Sequence, residues 1–229
     1  MAFRLLRFQD RFLSDAEGVG ALLQIIGTLF SVVYAFATYV TWGQFTSVES
    51  EVLKESGSLK DLIVFSTRLK AAGHEGLVRA VKAYAGAVVE TEWRALARSD
   101  ETEKTDRLFF AIISSVTDAN PESDIERMVY QRLLEIANRA SSHRDERLSL
   151  SVKRIPRTLL LFVTLTAFVI LLLLICYPFH STLIGVLSVT IAATLLFFAH
   201  FVLTDLDNPF EGTWNASSDP FGELFTKLR

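Results

Sequence analysis

Residues 18–48 read GVGALLQIIGTLFSVVYAFATYVTWGQFTSV and contain no Asp, Glu, Lys or Arg. A second stretch, residues 158–204, is equally uncharged and longer. A bilayer core of about 30 Å takes about 20 helical residues, so the first stretch fits one crossing and the second fits two. The run Val19 to Trp42 is the first span, closed by Tyr39 and Trp42, whose amphipathic rings suit the headgroup boundary. In the second stretch Tyr177, Pro178, Phe179, His180, Ser181 and Thr182 form a Pro-containing turn. It divides the stretch into spans from Thr158 to Cys176 and from Leu183 to Thr204, a helical hairpin.

The rest of the composition agrees. Half of the 229 residues are hydrophobic, and mean hydropathy is +0.33. The formal charge of -3 is too small to suggest a nucleic-acid partner. A single cysteine, Cys176, excludes an intrachain disulfide framework and a Cys-rich zinc module. The first apolar run is too long for the core of a cleaved signal peptide and is expected to remain in the mature protein.

These boundaries predict an all-α integral membrane protein with three transmembrane helices and a helical domain inserted between the first and second. Its segments are 1–17, an amphipathic N-terminal stretch; 18–43, the first span; 44–157, the inserted domain; 158–204, the hairpin; and 205–229, a C-terminal tail. Within the inserted domain acidic and basic side chains balance, and the apolar spacing is helical. Leu59, Leu62, Ile63 and Leu69 make one stripe, and Leu77, Val81, Tyr84 and Val88 a second. Leu108, Ile112 and Val116 make a third, and Ile125, Met128, Val129, Leu133 and Ile136 a fourth. Gly73 to Gly76 reads as a turn. Asn120 is the expected cap of the last soluble helix, with Pro121 in its first turn and Glu122 and Asp124 behind it. That helix is predicted to run from Pro121 to Ile155 and straight on towards the second span.

Arg144, Arg147, Lys153, Arg154 and Arg157 precede the second span, whereas the turn between spans two and three has no Lys or Arg. The positive-inside bias therefore puts the inserted domain in the cytoplasm and Cys176 near the outer face of an inner (plasma) membrane. Three spans place the N-terminus outside unless residues 1–17 lie in the interface. Arg4, Arg7 and Arg11 share a helical face opposite Phe8 and Phe12, as a surface helix would require.

Candidate functional residues concentrate in the first span. Gly27, Ser31 and Ala35 recur every four residues and allow another helix to approach closely, either within one subunit or between subunits. Ile25, Leu29 and Val33 form an apolar stripe at the same spacing, able to gate a pore by dewetting. Beyond the third span an acidic turn holds Asp205, Asp207, Pro209, Phe210, Glu211 and Gly212. It reads as a helix-ending cap in preference to a cation site, because EF-hand spacing is absent. Glu90, Glu92 and Trp93 read as a salt-bridged surface. His74, His143, His180 and His200 are scattered, and no metal-protease, nucleophile-elbow, P-loop or dinucleotide motif occurs. No enzyme activity, metal or cofactor is expected.

Together these segments resemble the bestrophin-like membrane proteins of bacteria and plants, grouped as a domain of unknown function. The resemblance rests on Val32 to Trp42, on E-S-G-S-L-K-D-L from Glu55, on Y-A-G-A-V-V-E-T-E-W from Tyr84, on the hairpin, and on D-L-D-N-P-F-E-G from Asp205. More distantly it is similar to the true bestrophins, homopentameric ion channels with a Trp-rich segment after the pore helix and an acidic Pro-Phe-Gly segment after the last span. Matching Trp42 to the first of those tryptophans implies that Ile25, Leu29 and Val33 occupy the hydrophobic neck. Thr213, Trp214 and Asn215 stand where the dense acidic run of the calcium clasp would be, so calcium gating is not implied. The resemblance implies a homo-oligomer, a pentamer, that conducts small inorganic ions, anions or monovalent cations, across the lipid bilayer. The alternative is a membrane-anchored helical scaffold or signalling module without a pore.

Overall fold

The computed structural model describes residues 16–100 and 102–227. The N-terminal segment with Arg4, Arg7, Arg11, Phe8 and Phe12 lies outside the described residues. Every regular element among those described is helical. The helices are α1 (Ala16–Ser66), α2 (Ala71–Ala87), a π-helical turn (Val88–Glu92), α3 (Trp93–Arg98), α4 (Glu103–Thr117), α5 (Asp124–Ser151), α6 (Arg157–Cys176), α7 (Thr182–Leu206) and α8 (Asp219–Lys227). Three of them, α1, α6 and α7, are long and apolar enough to cross a membrane.

Helix α1 has 51 residues and contains no proline, so the helix of the first span continues unbroken to Ser66. The expected continuity fails at the second span. Helix α5 stops at Ser151, and Pro156 caps the start of α6, its ring-fixed φ of -54° opening the helix where an N–H would in any case lack a partner. The start of α5 also differs from the expected one. Ser123, three residues beyond Asn120, is the cap: its hydroxyl accepts the Glu126 N–H at 3.2 Å, while the Glu126 carboxylate accepts the N–H groups of Glu122 and Ser123. This reciprocal box satisfies more orphan donors than Asn120 followed by Pro121 could. Gly73 and Gly76 lie inside α2, and the turn falls at 67–70 instead. Ser66 fixes that turn, its hydroxyl lying 2.7 Å from His74 Nδ1.

The chain divides into two compact units. One takes in the chain to Trp42 together with Arg154–Asp207; the other is Gly43–Lys153 with Asn208–Arg229. In the first, Ala37, Ile155, Val163 and Leu203 form a small buried cluster flanked by Phe30, Val33, Tyr34, Leu159 and Leu160. The second has a large core. Val48, Val52, Leu59 and Leu62 of α1 meet Leu77, Val81 and Tyr84 of α2, Phe109, Ile112 and Val116 of α4, and Leu133, Ile136 and Ala140 of α5. Phe210, Ala216, Phe221 and Leu224 close it from the C-terminal side, so the segment after Asp207 is part of this core. Ile125 and Met128, expected on the inner stripe of α5, are instead each 72% exposed, while Val129 between that turn and Leu133 packs against the core. Gly86 permits the closure by α8: a Cβ there would stand 3.0 Å from the Phe225 ring.

Candidate functional site

In the first span one side is committed to the chain's own hairpin. Ala37 is buried, Phe30, Val33 and Tyr34 pack beside it, and the Tyr34 hydroxyl donates to the Ala199 carbonyl at 3.0 Å. The apolar candidates divide across this boundary. Ile25 and Leu29 are 66% and 47% exposed, whereas Val33 leans on the hairpin cluster. Val32 and Phe36 continue the outward stripe at 64% and 60%. Ser31 and Ala35 are exposed, and a Cβ on Gly27 would meet nothing within 4 Å. The Ser31 hydroxyl donates to the Gly27 carbonyl at 2.8 Å, as hydroxyls within apolar helices commonly do.

The acidic turn is divided between two tasks. Asp205 lies in the last turn of α7, and the Asp207 carboxylate accepts the Ile155 N–H at 2.6 Å, just ahead of the second span. Burial raises the Asp207 carboxyl above its ordinary range despite that hydrogen bond and the nearby Arg154. In the second unit, Asn208 donates to the Ala97 carbonyl at 2.8 Å and the Pro209 carbonyl accepts the Ala216 N–H at 2.7 Å. Phe210 is buried edge-on to Trp93 with ring centroids 5.1 Å apart. Gly212, at φ 94°, takes a backbone conformation that side chains disfavour, while Glu211 is exposed. Among the described residues no three His, Cys, Asp or Glu side chains converge as metal ligands.

The second unit also encloses a charge network that the sequence reading did not assemble. Arg144 and Arg147, read as membrane-flanking charges, are buried, and so is Glu92, read as surface. Arg147 donates through Nε to Glu55 at 2.7 Å and through Nη2 to Glu92 at 2.7 Å. Arg144 donates through Nη1 to the Tyr84 hydroxyl at 2.6 Å and to Glu92 at 3.0 Å, and through Nη2 to Asp106 at 2.6 Å. The Tyr84 hydroxyl in turn donates to Glu55, and Thr105 donates to Glu92. Local geometry explains the convergence. Arg144 and Arg147 are three apart on α5 and share a face, and the π-helical turn directs Val88 and Glu92 inward while Glu90 stays exposed.

Aromatic rings replace water around the cations. Arg147 lies 5.7 Å from the Trp93 centroid and 5.5 Å from that of Phe221, and Arg144 lies 5.2 Å from Tyr84 and 5.4 Å from Phe109. Arg147 Nη1, which has no hydrogen-bond partner among the described residues, is on the guanidinium flanked by Trp93 and Phe221. Burial alone would raise the Glu92 carboxyl, but Arg147 and Arg144 outweigh it and the net shift is downward. Burial and the neighbouring Glu55 push the Tyr84 hydroxyl well above its ordinary range. Burial disfavours the Arg147 charge, yet Glu55, Tyr84 and Glu92 hold it well above the arginine value, so the guanidinium stays charged.

A signal for this network was present in the sequence. Arg144 and Arg147 continue the inward stripe of Leu133, Ala137 and Ala140, Glu55 interrupts that of Val52, Leu59 and Leu62, and Glu92 comes after Tyr84 and Val88. A charge on an inward stripe requires a partner of opposite sign. Two of the segments that carry the family resemblance, from Glu55 and from Tyr84, hold three of these residues.

The family model described as a Bestrophin-like domain matches residues 3–221. Among solved structures, a bacterial bestrophin homolog from Klebsiella pneumoniae carrying an isoleucine-to-threonine mutation is 14% identical, with a TM-score of 0.73 over 99% of this chain and 98% of that one. A leucine-to-threonine mutant of that homolog is 13% identical with a TM-score of 0.71, covering 99% and 97%. Its structure phased by Zn-SAD is 15% identical with a TM-score of 0.69, covering 99% and 95%. At these identities the likeness is one of fold. No curated protein matches the chain.

Proposed function

Because this chain belongs to the Bestrophin-like domain family, we propose that it is a passive ion channel, a homopentamer whose first spans surround the pore. It is a multi-pass membrane protein, and in this reading it lies in the inner membrane with its large helical unit in the cytoplasm. Ile25 and Leu29 form the neck, with Val33 at its edge where the stripe meets the hairpin, and Gly27, Ser31 and Ala35 let neighbouring helices approach. A ring of apolar side chains at that constriction controls conduction by excluding water, so that widening the ring admits ions. The acidic turn caps and anchors chain ends and does not bind an ion.

The observation that supports this reading best is the outward stripe of the first span. Ile25 and Leu29 are exposed on a helix whose opposite side sets Ala37, with Phe30 and Tyr34 beside it, against the chain's own hairpin. Purified protein reconstituted in liposomes is expected to pass chloride or a monovalent cation, and Leu29→Ala is expected to raise that flux severalfold. A monomer without flux would overturn the proposal. An intact oligomer without flux in either form would favour the scaffold.

A further inference from the structure

Gln24 lies on neither the apolar stripe nor the hairpin side of the first span. It is exposed, and its carboxamide makes no hydrogen bond among the described residues; only its backbone carbonyl is engaged, by the Thr28 hydroxyl at 2.8 Å. Gln24 stands five residues inside Val19, about 8 Å along the helix axis, and so within the hydrocarbon. Lipid tails offer an amide neither donor nor acceptor, and a polar group in that setting is expected to find a protein partner.

The chain itself carries a matching surface. Thr190 and Thr194 lie one above the other on α7, both exposed, and each donates its hydroxyl proton to a carbonyl of its own helix at 2.8 Å, to Val186 and to Thr190 respectively. Each oxygen therefore keeps a lone pair facing outward. The first and third of three spans run in the same direction, and Thr190 stands eight residues inside Thr182, about 12 Å along its axis. The long glutamine side chain covers that difference in depth.

We propose that the Gln24 carboxamide of one copy donates to the Thr190 hydroxyl of the next, so that the first span of each protomer docks on the third span of its neighbour. Such a head-to-tail contact generates a ring when its rotation closes, as the oligomeric channel reading requires. The inference rests on the oligomeric channel reading and adds to it the surface through which the copies meet.

The test uses full-length protein in which Cys176→Ser removes the lone cysteine. Gln24→Cys and Thr190→Cys are introduced singly into separate copies, the two are co-expressed, and the membranes are oxidised with copper phenanthroline. Only a contact between copies can then join position 24 to position 190, and a covalent mixed dimer is the expected product. Mass measurement of the same sample in detergent separates the failures. A monomer would overturn the channel reading and this inference together. An intact oligomer without the mixed dimer would overturn this inference alone, and so would modification of Gln24→Cys by an impermeant thiol reagent in that oligomer, which would put position 24 in the pore water.

Discussion

The two units of this chain handle polar groups in opposite ways. In the unit that holds the spans the buried cluster is four residues, Ala37, Ile155, Val163 and Leu203, and most large apolar side chains face outward. In the other, twenty-two buried residues form one core, and the charges inside it are gathered around Arg144 and Arg147. Solvent accounts for the contrast. In hydrocarbon an exposed leucine loses nothing, so helices there are held by fit and a few hydrogen bonds such as Tyr34 to Ala199. In water the same leucine must be buried, and a charge buried with it is tolerated only when paired.

The contrast breaks most visibly at the network. Arg147→Ala leaves Glu55 and Glu92 buried without their main counter-charge, and a loss of about 3–5 kcal/mol is expected. Thermal unfolding in detergent, followed by circular dichroism, measures it; a change below about 1 kcal/mol would mean that the two carboxylates have found water or protons instead.

A matched pair of truncations sharpens the comparison. Leu133→Ala, at a fully buried position of the second unit, is expected to cost about 2–5 kcal/mol. Leu165→Ala, 56% exposed on the second span, should change stability by no more than about 0.5 kcal/mol. Equal losses in the same melting experiment would erase the distinction between the units.

The smallest effect is one of pH. Glu92 has its carboxyl lowered in the folded state, so the unfolded chain binds protons more readily as the solution is acidified. The stability it contributes is present above the ordinary glutamate range and is lost as pH falls through the lowered folded value. Glu92→Gln should therefore flatten the acid side of the stability profile while lowering stability at neutral pH. An unchanged acid slope would show that the carboxylate is not ionised in the fold.

Much of this was legible in the residues. The three spans followed from uncharged length alone, and the helical character of the inserted segment followed from apolar spacing. Helix ends were less accessible: Asn120 and Ser123 are both good caps, and only the reciprocal bond with Glu126 selects the second. The continuation from α5 into the second span failed because Pro156 starts a helix as readily as it kinks one.

The site divided along the same line. Ile25, Leu29 and Val33 share a spacing, but spacing does not say what lies opposite, and the hairpin covers Val33 while leaving Ile25 open. By itself the sequence determined that the chain enters a membrane, and as helices, because hydrocarbon excludes charge and unpaired backbone wherever the segment goes. Tertiary structure alone decided that Glu55, Glu92, Arg144 and Arg147 meet. Their pairing joins residues as many as 92 positions apart, and a local pattern reports only that a charge faces inward, not which charge answers it.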